Sequence, residues 1–402
     1  MPRDRSEVVV CGHICLDVIP NFESGGGGLG DLLVPGKLVN VGPAVTATGG
    51  VVSNTGLALH RLGVNTRLMG KVGDDLLGHA ILDALRAHGP GLAEGMLVAK
   101  GAPTSYTIVI NPPGVDRVFL HCPGANDTFG AEDVPYQQLA GATVFHFGYP
   151  PLMRRMYEGG GRELATIFRR VKQEGPITSL DMARPDPNSE GGRAQWREVL
   201  ERVLPYVDIF LPSLDETLFM VDRERFDQME AASQSGDLAS LADGELLSET
   251  ADTLLGMGAA VVVLKLGTEG LYLRTTGERE RLWALEVGPR RAMDAWLHRE
   301  LFSPCFQVDV VGTTGSGDCT VAGFLAGLVH ELAPEQAMTS AVAVGACSVE
   351  AADATSGVPD WLEVQTRIRS GWKRREMTLR LTGWQWDREE AVWRGPEDRA
   401  KG

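Results

Sequence analysis

Short β-branched runs alternate with amphipathic helical patterns along most of this chain, and that alternation limits what it can fold into. The runs are EVVVCGHI, ATVFHFG, ITSLD, VDIFL and AVVVLKLG. Between them lie SNTGLALHRLG, LLGHAILDALRAHG, GRELATIFRRVKQEG and QWREVLERVL, each with apolar residues at helical spacing. Strands that are apolar throughout are strands covered on both faces, so the pattern predicts an α/β fold with a doubly wound, mainly parallel sheet. Two regions, GKLVNVGPAVTATGG and TSYTIVINPPGVDRVFLHC, read as strands with no helix between them. They predict a small separate β-sheet, with strands from about 34–48 and 104–123. The apolar run near the N-terminus is broken by Gly12, His13 and Asp17 and lacks a small-residue cleavage site, so it reads as a buried first strand and not as a signal peptide.

Three segments interrupt the alternation. Residues 223–250 are polar and acidic, and residues 276–306 carry charge and two tryptophans without a clear period. From Trp372 the chain is basic, then acidic, and holds four of its eight tryptophans. This divides the chain into a body over 1–371 and an extension over 372–402 that packs on the body or on a partner subunit. The net charge of −15 argues against a nucleic-acid partner or an anionic membrane surface. No stretch approaches the ~20 apolar residues of a membrane span. The six cysteines are scattered without metal-ligand spacing, which suits reduced thiols in a cytoplasmic protein.

The glycine run Gly25–Gly30 fits G-x-G-x-x-G by letter but is followed by Pro35 and Gly36, so it reads as a flexible loop. No P-loop, H-E-x-x-H or G-x-S-x-G motif occurs. The chemistry-bearing stretch is GTTGSGDCTVAGFLAGL, Gly312 to Leu328. Bare backbone at Gly315 and Gly317 precedes a small-residue helix, whose free N–H groups and dipole suit an anion. Asp318, at the same helix start, is placed to take a proton from a hydroxyl beside that anion. Taken alone, the same residues are equally a capped helix after a glycine turn. Other residues fall where strands end, the usual ligand edge of a doubly wound sheet. They are Asp17 just past the first strand, Gly49, Gly50 and Asn54 at a helix start, Glu216 after VDIFL, and Gly267 and Gly270 in a turn between strands. An acid and an amide beside bare glycine suit a polyhydroxylated ligand.

With these residues in view, the chain resembles the PfkB/ribokinase family of carbohydrate and nucleoside kinases from about Val8 to Pro359. The resemblance rests on GGVVSNTGLALHRLGVNTRLMGKVGDDLLG and on GTTGSGD, similar to the family's D-T-T-G-A-G-D. It implies a ribokinase-like fold in which the small sheet is a lid, and transfer of phosphate from ATP with Mg²⁺. Asp318 matches the base, and Gly315, Ser316 and Gly317 the anion hole. Asp17, Gly49, Gly50 and Asn54 match the sugar contacts. Lys265, Gly267, Gly270 and Ser213 match the nucleotide side, and Glu216 the acid that positions Mg²⁺ through water. A sugar or sugar acid is the implied substrate and a homodimer through the lid the implied assembly. A nucleoside kinase and a non-catalytic sugar- or nucleoside-binding regulator are the other readings. Two departures stand out. Ser213 replaces an Asn, and Gly312 replaces the first Asp of the anion-hole motif, which helps bind K⁺ where that ion activates. Asp353 lies near where a Gly-Ala pair is common, so the monovalent cation is left open.

Overall fold

The computed structural model describes residues 7–22, 30, 34–112, 118–233, 237–283 and 294–399. The glycine run Gly25–Gly30 lies outside these apart from Gly30. In chain order the strands are β1 (Glu7–Gly12), β2 (Cys15–Asn21), β3 (Gly42–Gly49), β4 (Asn65–Met69), β5 (Lys71–Gly73), β6 (Leu97–Ala99), β7 (Tyr106–Ile110) and β8 (Val118–Cys122). They continue with β9 (Val144–Gly148), β10 (Ile177–Asp181), β11 (Ile209–Phe210), β12 (Val261–Lys265), β13 (Gly270–Thr275), β14 (Glu300–Pro304), β15 (Gln385–Asp387) and β16 (Val392–Arg394).

Ten strands form the main sheet, in the order β15-β16-β14-β13-β12-β11-β10-β9-β1-β4. The apolar runs divide residue by residue between its faces, because successive side chains on a strand point opposite ways. Val8 and Val10 join the core beneath helices Val51–Arg61, Leu76–His88, Ser316–Val329 and Pro334–Ser348, whereas Val9 and Cys11 join the other. Val261 and Val263 part from Val262 and Leu264 in the same manner. The second face is covered by helices Arg154–Glu174, Trp196–Val203, Leu214–Val221 and Gly244–Gly256. Among the described residues no helix is long and apolar enough to cross a membrane.

The sheet is mainly parallel, as expected: it is parallel from β4 to β12, and β13, β14, β16 and β15 continue it antiparallel. Expectation and structure differ in two places. The first apolar run is two strands, since the chain leaves the main sheet after Gly12 and β2 enters a second sheet of order β3-β2-β7-β8. Asp17 therefore lies within β2 and not just past the first strand. Finally, β14 arises inside 276–306, where the sequence showed no period. Its pattern was hidden by charge: Glu300 is fully buried, and Arg299 beside it is 3% exposed. Glu300 accepts from Tyr272 Oη (3.1 Å) and from Ser248, and lies 3.1 Å from Arg274 Nη1. Buried charge is tolerated because these groups answer one another.

The extension adds β15 and β16 to the edge of β14. Arg299 joins it to the body, donating from Nε to Asp398 Oδ1 (2.7 Å) and from Nη2 to Glu335. Arg394 of β16 meets the same two acids, 2.9 Å from Asp398 and 3.1 Å from Glu335. Replacing Arg299 by Met leaves Arg394 as the remaining guanidinium beside both acids. We expect Arg299→Met to lose about 3 kcal/mol, the lower end for breaking a buried pair, read as a fall in the urea midpoint. A loss under about 0.5 kcal/mol, no more than an ordinary surface change, would show that these ion pairs do not hold the extension.

Candidate active site

Two helix N-termini meet at one carboxylate. Helix Val51–Arg61 begins after Gly50 and presents Asn54 in its first turn. Helix Ser316–Val329 begins after Gly315, whose left-handed backbone (φ 71°, ψ 5°) turns the chain into the helix and favours glycine there. Asp318, 2% exposed, sits in that first turn. Asn54 Nδ2 donates to Asp318 Oδ2 at 2.9 Å, and Thr55 Oγ1 lies 3.4 Å from Oδ1. The Tyr149 hydroxyl reaches both oxygens, at 2.9 and 2.8 Å. Burial pushes the Asp318 carboxyl up, and the Asn54 and Tyr149 hydrogen bonds and the Lys265 charge oppose that rise. The Asn54 amide, expected among the sugar contacts, thus gives an N–H to Asp318.

Asp318, Gly315, Ser316 and Gly317 line a cavity of about 350 Å³ together with Tyr149, Asp181, Ser213, Asp215, Glu216 and Lys265. A second, more apolar cavity of about 250 Å³ continues past Gly267 and Gly270 between Cys305, Phe306, Val308, Val342 and Ala346. The two share Lys265, Gly267, Thr313, Ser316 and Gly317. A single helix start therefore faces both a polar, acidic chamber and an apolar one. Gly317 leaves the space open: a Cβ there would lie 3.6 Å from the Lys265 side chain, an ordinary contact.

Lys265 ends β12 and donates from Nζ to Asp181 Oδ1 (2.5 Å) and Leu211 O (2.7 Å). Burial pushes Asp181 and Glu216 up, and the Lys265 ammonium pulls both down. Ser213 and Glu216 form a capping box on helix Leu214–Val221: Ser213 N donates to Glu216 Oε2 at 2.7 Å, and Glu216 N to Ser213 Oγ at 3.4 Å. Serine at this position thus caps the helix. Among the described residues no group of three or more His, Cys, Asp or Glu is placed to hold a metal ion. A divalent ion would instead suit one or two chamber carboxylates together with water and phosphate oxygens, the usual Mg²⁺ set. Glu216, half-buried in the chamber wall, fits that description.

On the lid side, Gly49 lets the Asp17 carboxyl rest against backbone, since a Cβ there would meet Asp17 Oδ2 at 2.4 Å. Asp17 lies in β2 opposite Ala47, and burial pushes its carboxyl up. Asp17, Gly49 and Gly50 are not brought into contact with Asp318; Asn54 is. Gly312 packs on the 349–352 loop, where a Cβ would lie 2.8 Å from the carbonyls of Ala351 and Ala352. Asp353 in that loop accepts from Thr355 N (2.9 Å) and Ser356 N (2.7 Å). Burial tends to raise the Asp353 carboxyl, but these hydrogen bonds hold it below its ordinary value.

Sequence reasoning missed Tyr149, Asp181 and His13. Tyr149 and Asp181 follow or end apolar strands at the carboxyl edge of the sheet, so the rule that singled out Glu216 would have found them. Tyr149 adopts a left-handed backbone (φ 63°, ψ 40°), a strain at the site. His13 is 2% exposed, and neither ring nitrogen has a partner among the described residues. Its ring lies 5.2 Å from His121 of the lid and 6.2 Å from Tyr149. Burial, with His121 adding to it, drives the imidazole down to about 3, so it is neutral.

The family model for pfkB family carbohydrate kinases matches residues 5–361. A protein of Arabidopsis thaliana named "Probable fructokinase-4" is 23% identical over 375 residues, which are 91% of this chain and 98% of that one. The structure of a fructokinase with bound ATP from Xylella fastidiosa superposes with a TM-score of 0.66 at 17% identity, over 91% of this chain and 99% of that one. A nucleoside kinase from Methanocaldococcus jannaschii, a member of the ribokinase family, gives 0.61 at 17% identity, over 91% and 98%. At these identities the structural likeness shows the ribokinase-like fold and does not choose a substrate.

The Tyr149 hydroxyl donates to the charged form of Asp318, so it lowers that pKa. Removing it raises the pKa, and less carboxylate is ionised at a given acidic pH. We expect Tyr149→Phe to move the acid limb of the turnover profile to higher pH, because the lost hydrogen bond favoured the charged form. An acid limb that stays in place would show that the tyrosine does not tune this carboxylate.

Proposed function

The chain belongs to the pfkB family of carbohydrate kinases, which are phosphotransferases, and we propose that it transfers the γ-phosphate of ATP to a hydroxyl of a small sugar or sugar acid. The observation that carries this reading is Asp318, buried at a helix start beside Gly315–Gly317 where a polar chamber and an apolar pocket meet. In this reading the apolar pocket takes the base, and Gly267 and Gly270 shape the turn above it. The phosphates lie along the helix N-terminus. Asp318 accepts the proton of the substrate hydroxyl as that oxygen attacks the γ-phosphorus; the new O–P bond forms as the bond to ADP breaks. Backbone N–H groups at Ser316 and Gly317 take up charge on the transferring group. Glu216 and Asp215 would hold Mg²⁺ through water, and the ion supplies neutralisation of phosphate charge. Asp17, the Gly49–Gly50 corner between β3 and helix Val51–Arg61, and the neutral His13 face the sugar hydroxyls. The lid sheet closes over them, and its exposed apolar residues Val45, Phe119 and Leu120 offer contacts for a second subunit, an assembly that light scattering would test by mass.

The test is an ADP-release screen over hexoses, pentoses, sugar acids and nucleosides, with fructose first because of the named relative. Asp318→Asn should lower turnover ~10²–10⁴-fold, as for loss of a positioned base, with circular dichroism unchanged. Gly317→Val should do comparable harm without unfolding, because the position has room for a side chain but the anion does not. A folded Asp318→Asn keeping half the activity would sink the assignment. Turnover confined to nucleosides would replace the sugar by a nucleoside.

Monovalent dependence should be weak. Gly312 offers no side-chain oxygen, and the Asp353 carboxylate is engaged by its own loop. KCl titrated at constant ionic strength in tetramethylammonium buffer should change turnover less than about threefold, since hard cations need oxygen ligands. A tenfold rise would overturn this reading.

A further inference from the structure

The family match ends at residue 361, yet the chain beyond it returns to the apolar pocket. From Trp372 the backbone runs beside the segment after β14. Gln307 N donates to Lys373 O at 2.9 Å, and Arg375 N to Cys305 O at 2.7 Å. Phe306, a wall of the pocket, is stacked by Trp372 at 4.3 Å and 17°, and the Arg374 guanidinium lies 3.9 Å from its centroid. Arg367 in turn lies 3.6 Å from the Trp372 ring. The turn between β12 and β13 is held from the same side. The Glu269 carboxylate accepts from Thr378 N (2.7 Å), Leu379 N (3.1 Å) and Thr378 Oγ1 (2.8 Å).

Arg375 lies in the middle of this segment and lines the pocket. The other charged side chain in that lining is Lys265, committed to Asp181 and Leu211 O. The Arg375 side chain is exposed and makes no hydrogen bond or ion pair to the described residues. Cys305, whose thiol feels the Arg375 charge, belongs to the same wall, and no acid among the lining residues answers that charge. A planar cation at the mouth of an apolar slot fits a flat aromatic ring, on which guanidinium stacks well.

Resting on the ATP reading above, we propose that the segment Trp372–Leu379 is part of the nucleotide site and that Arg375 binds the base end of ATP. The stack on Phe306 and the hydrogen bonds to Glu269 set the pocket wall, and Arg375 closes its open side. The extension then has a function besides extending the sheet: it completes a pocket that the family-matched body leaves open.

The experiment compares the full-length parent, Arg375→Ala and Arg388→Ala, a control on the turn between β15 and β16. Calorimetric titration with ADP gives binding apart from turnover, and initial rates give KM and kcat for ATP and for the best sugar. Arg375→Ala should weaken ADP and raise the KM for ATP by about tenfold, the order of a desolvated cation–aromatic contact. Its kcat and sugar KM should stay within about twofold, and its melting temperature without nucleotide should match the parent, as for an exposed side chain. Arg388→Ala should bind like the parent. ADP affinity in Arg375→Ala within twofold of the parent would overturn this proposal and leave the kinase reading standing. A parent that binds neither ADP nor ATP would overturn both.

Discussion

A carboxylate with almost no access to water is costly unless its surroundings replace the water. Asp318 meets that condition with an amide from Asn54, the hydroxyls of Tyr149 and Thr55, and the N-terminal ends of two helices. These groups come from three distant parts of the chain, and each offsets part of the burial that disfavours the charged form of Asp318. The sheet is what makes this meeting possible. β14, antiparallel to β13, runs in the same direction as the parallel strands, so helix Ser316–Val329 starts at their carboxyl edge, where helix Val51–Arg61, entered from β3 of the second sheet, meets it. The left-handed Tyr149 backbone accompanies the same contact: from that position its hydroxyl reaches both Asp318 oxygens.

Lys265 organises the other half of the site. Asp181 and Glu216 both resist ionisation through burial, and the ammonium between them stabilises their charged forms. The result is a chamber whose acids are partly offset by a fixed cation, beside a helix start that favours anions. In the proposed reading, a polyphosphate with its divalent ion would meet charges of both signs there. Neither an all-acid nor an all-basic chamber would hold such a pair at one place. The apolar pocket on the far side of Gly267 has little polar wall, so the helix start between the two cavities also separates two kinds of solvent.

The fold class was legible because buried parallel strands have no polar alternation to obscure them; Val8–Val10 and Val261–Leu264 announce themselves. The helix start at Gly315–Asp318 was legible because bare glycines before a small-residue helix have a physical use. Tyr149 was less so. A tyrosine after a strand looks like any half-buried aromatic until the helix carrying Asp318 is placed against it, and that placement is tertiary. β14 was illegible for a different reason. Glu300 and Arg299 are charged residues in fully buried positions, and hydropathy marks such a stretch as surface unless Arg274, Tyr272 and Asp398 are already known to be neighbours.

The charged core around β14 also explains why the extension belongs to the body. An edge strand leaves a row of backbone groups unpaired and needs cover. β16 pairs with β14 and brings Arg394 and Asp398 to the very acids and arginine that β14 and its neighbouring helix bury. Without that segment Arg299 would lose Asp398, Glu335 would lose Arg394, and Glu300 would lose the Glu397 N–H that donates to it at 2.8 Å. Charges inside the body therefore require the extension, just as the extension, too short for a core of its own, requires the sheet edge. Anchored in this way, the stretch that leads into it is drawn across Phe306 and Glu269, and a terminal segment that first satisfies buried charge comes to border the apolar pocket.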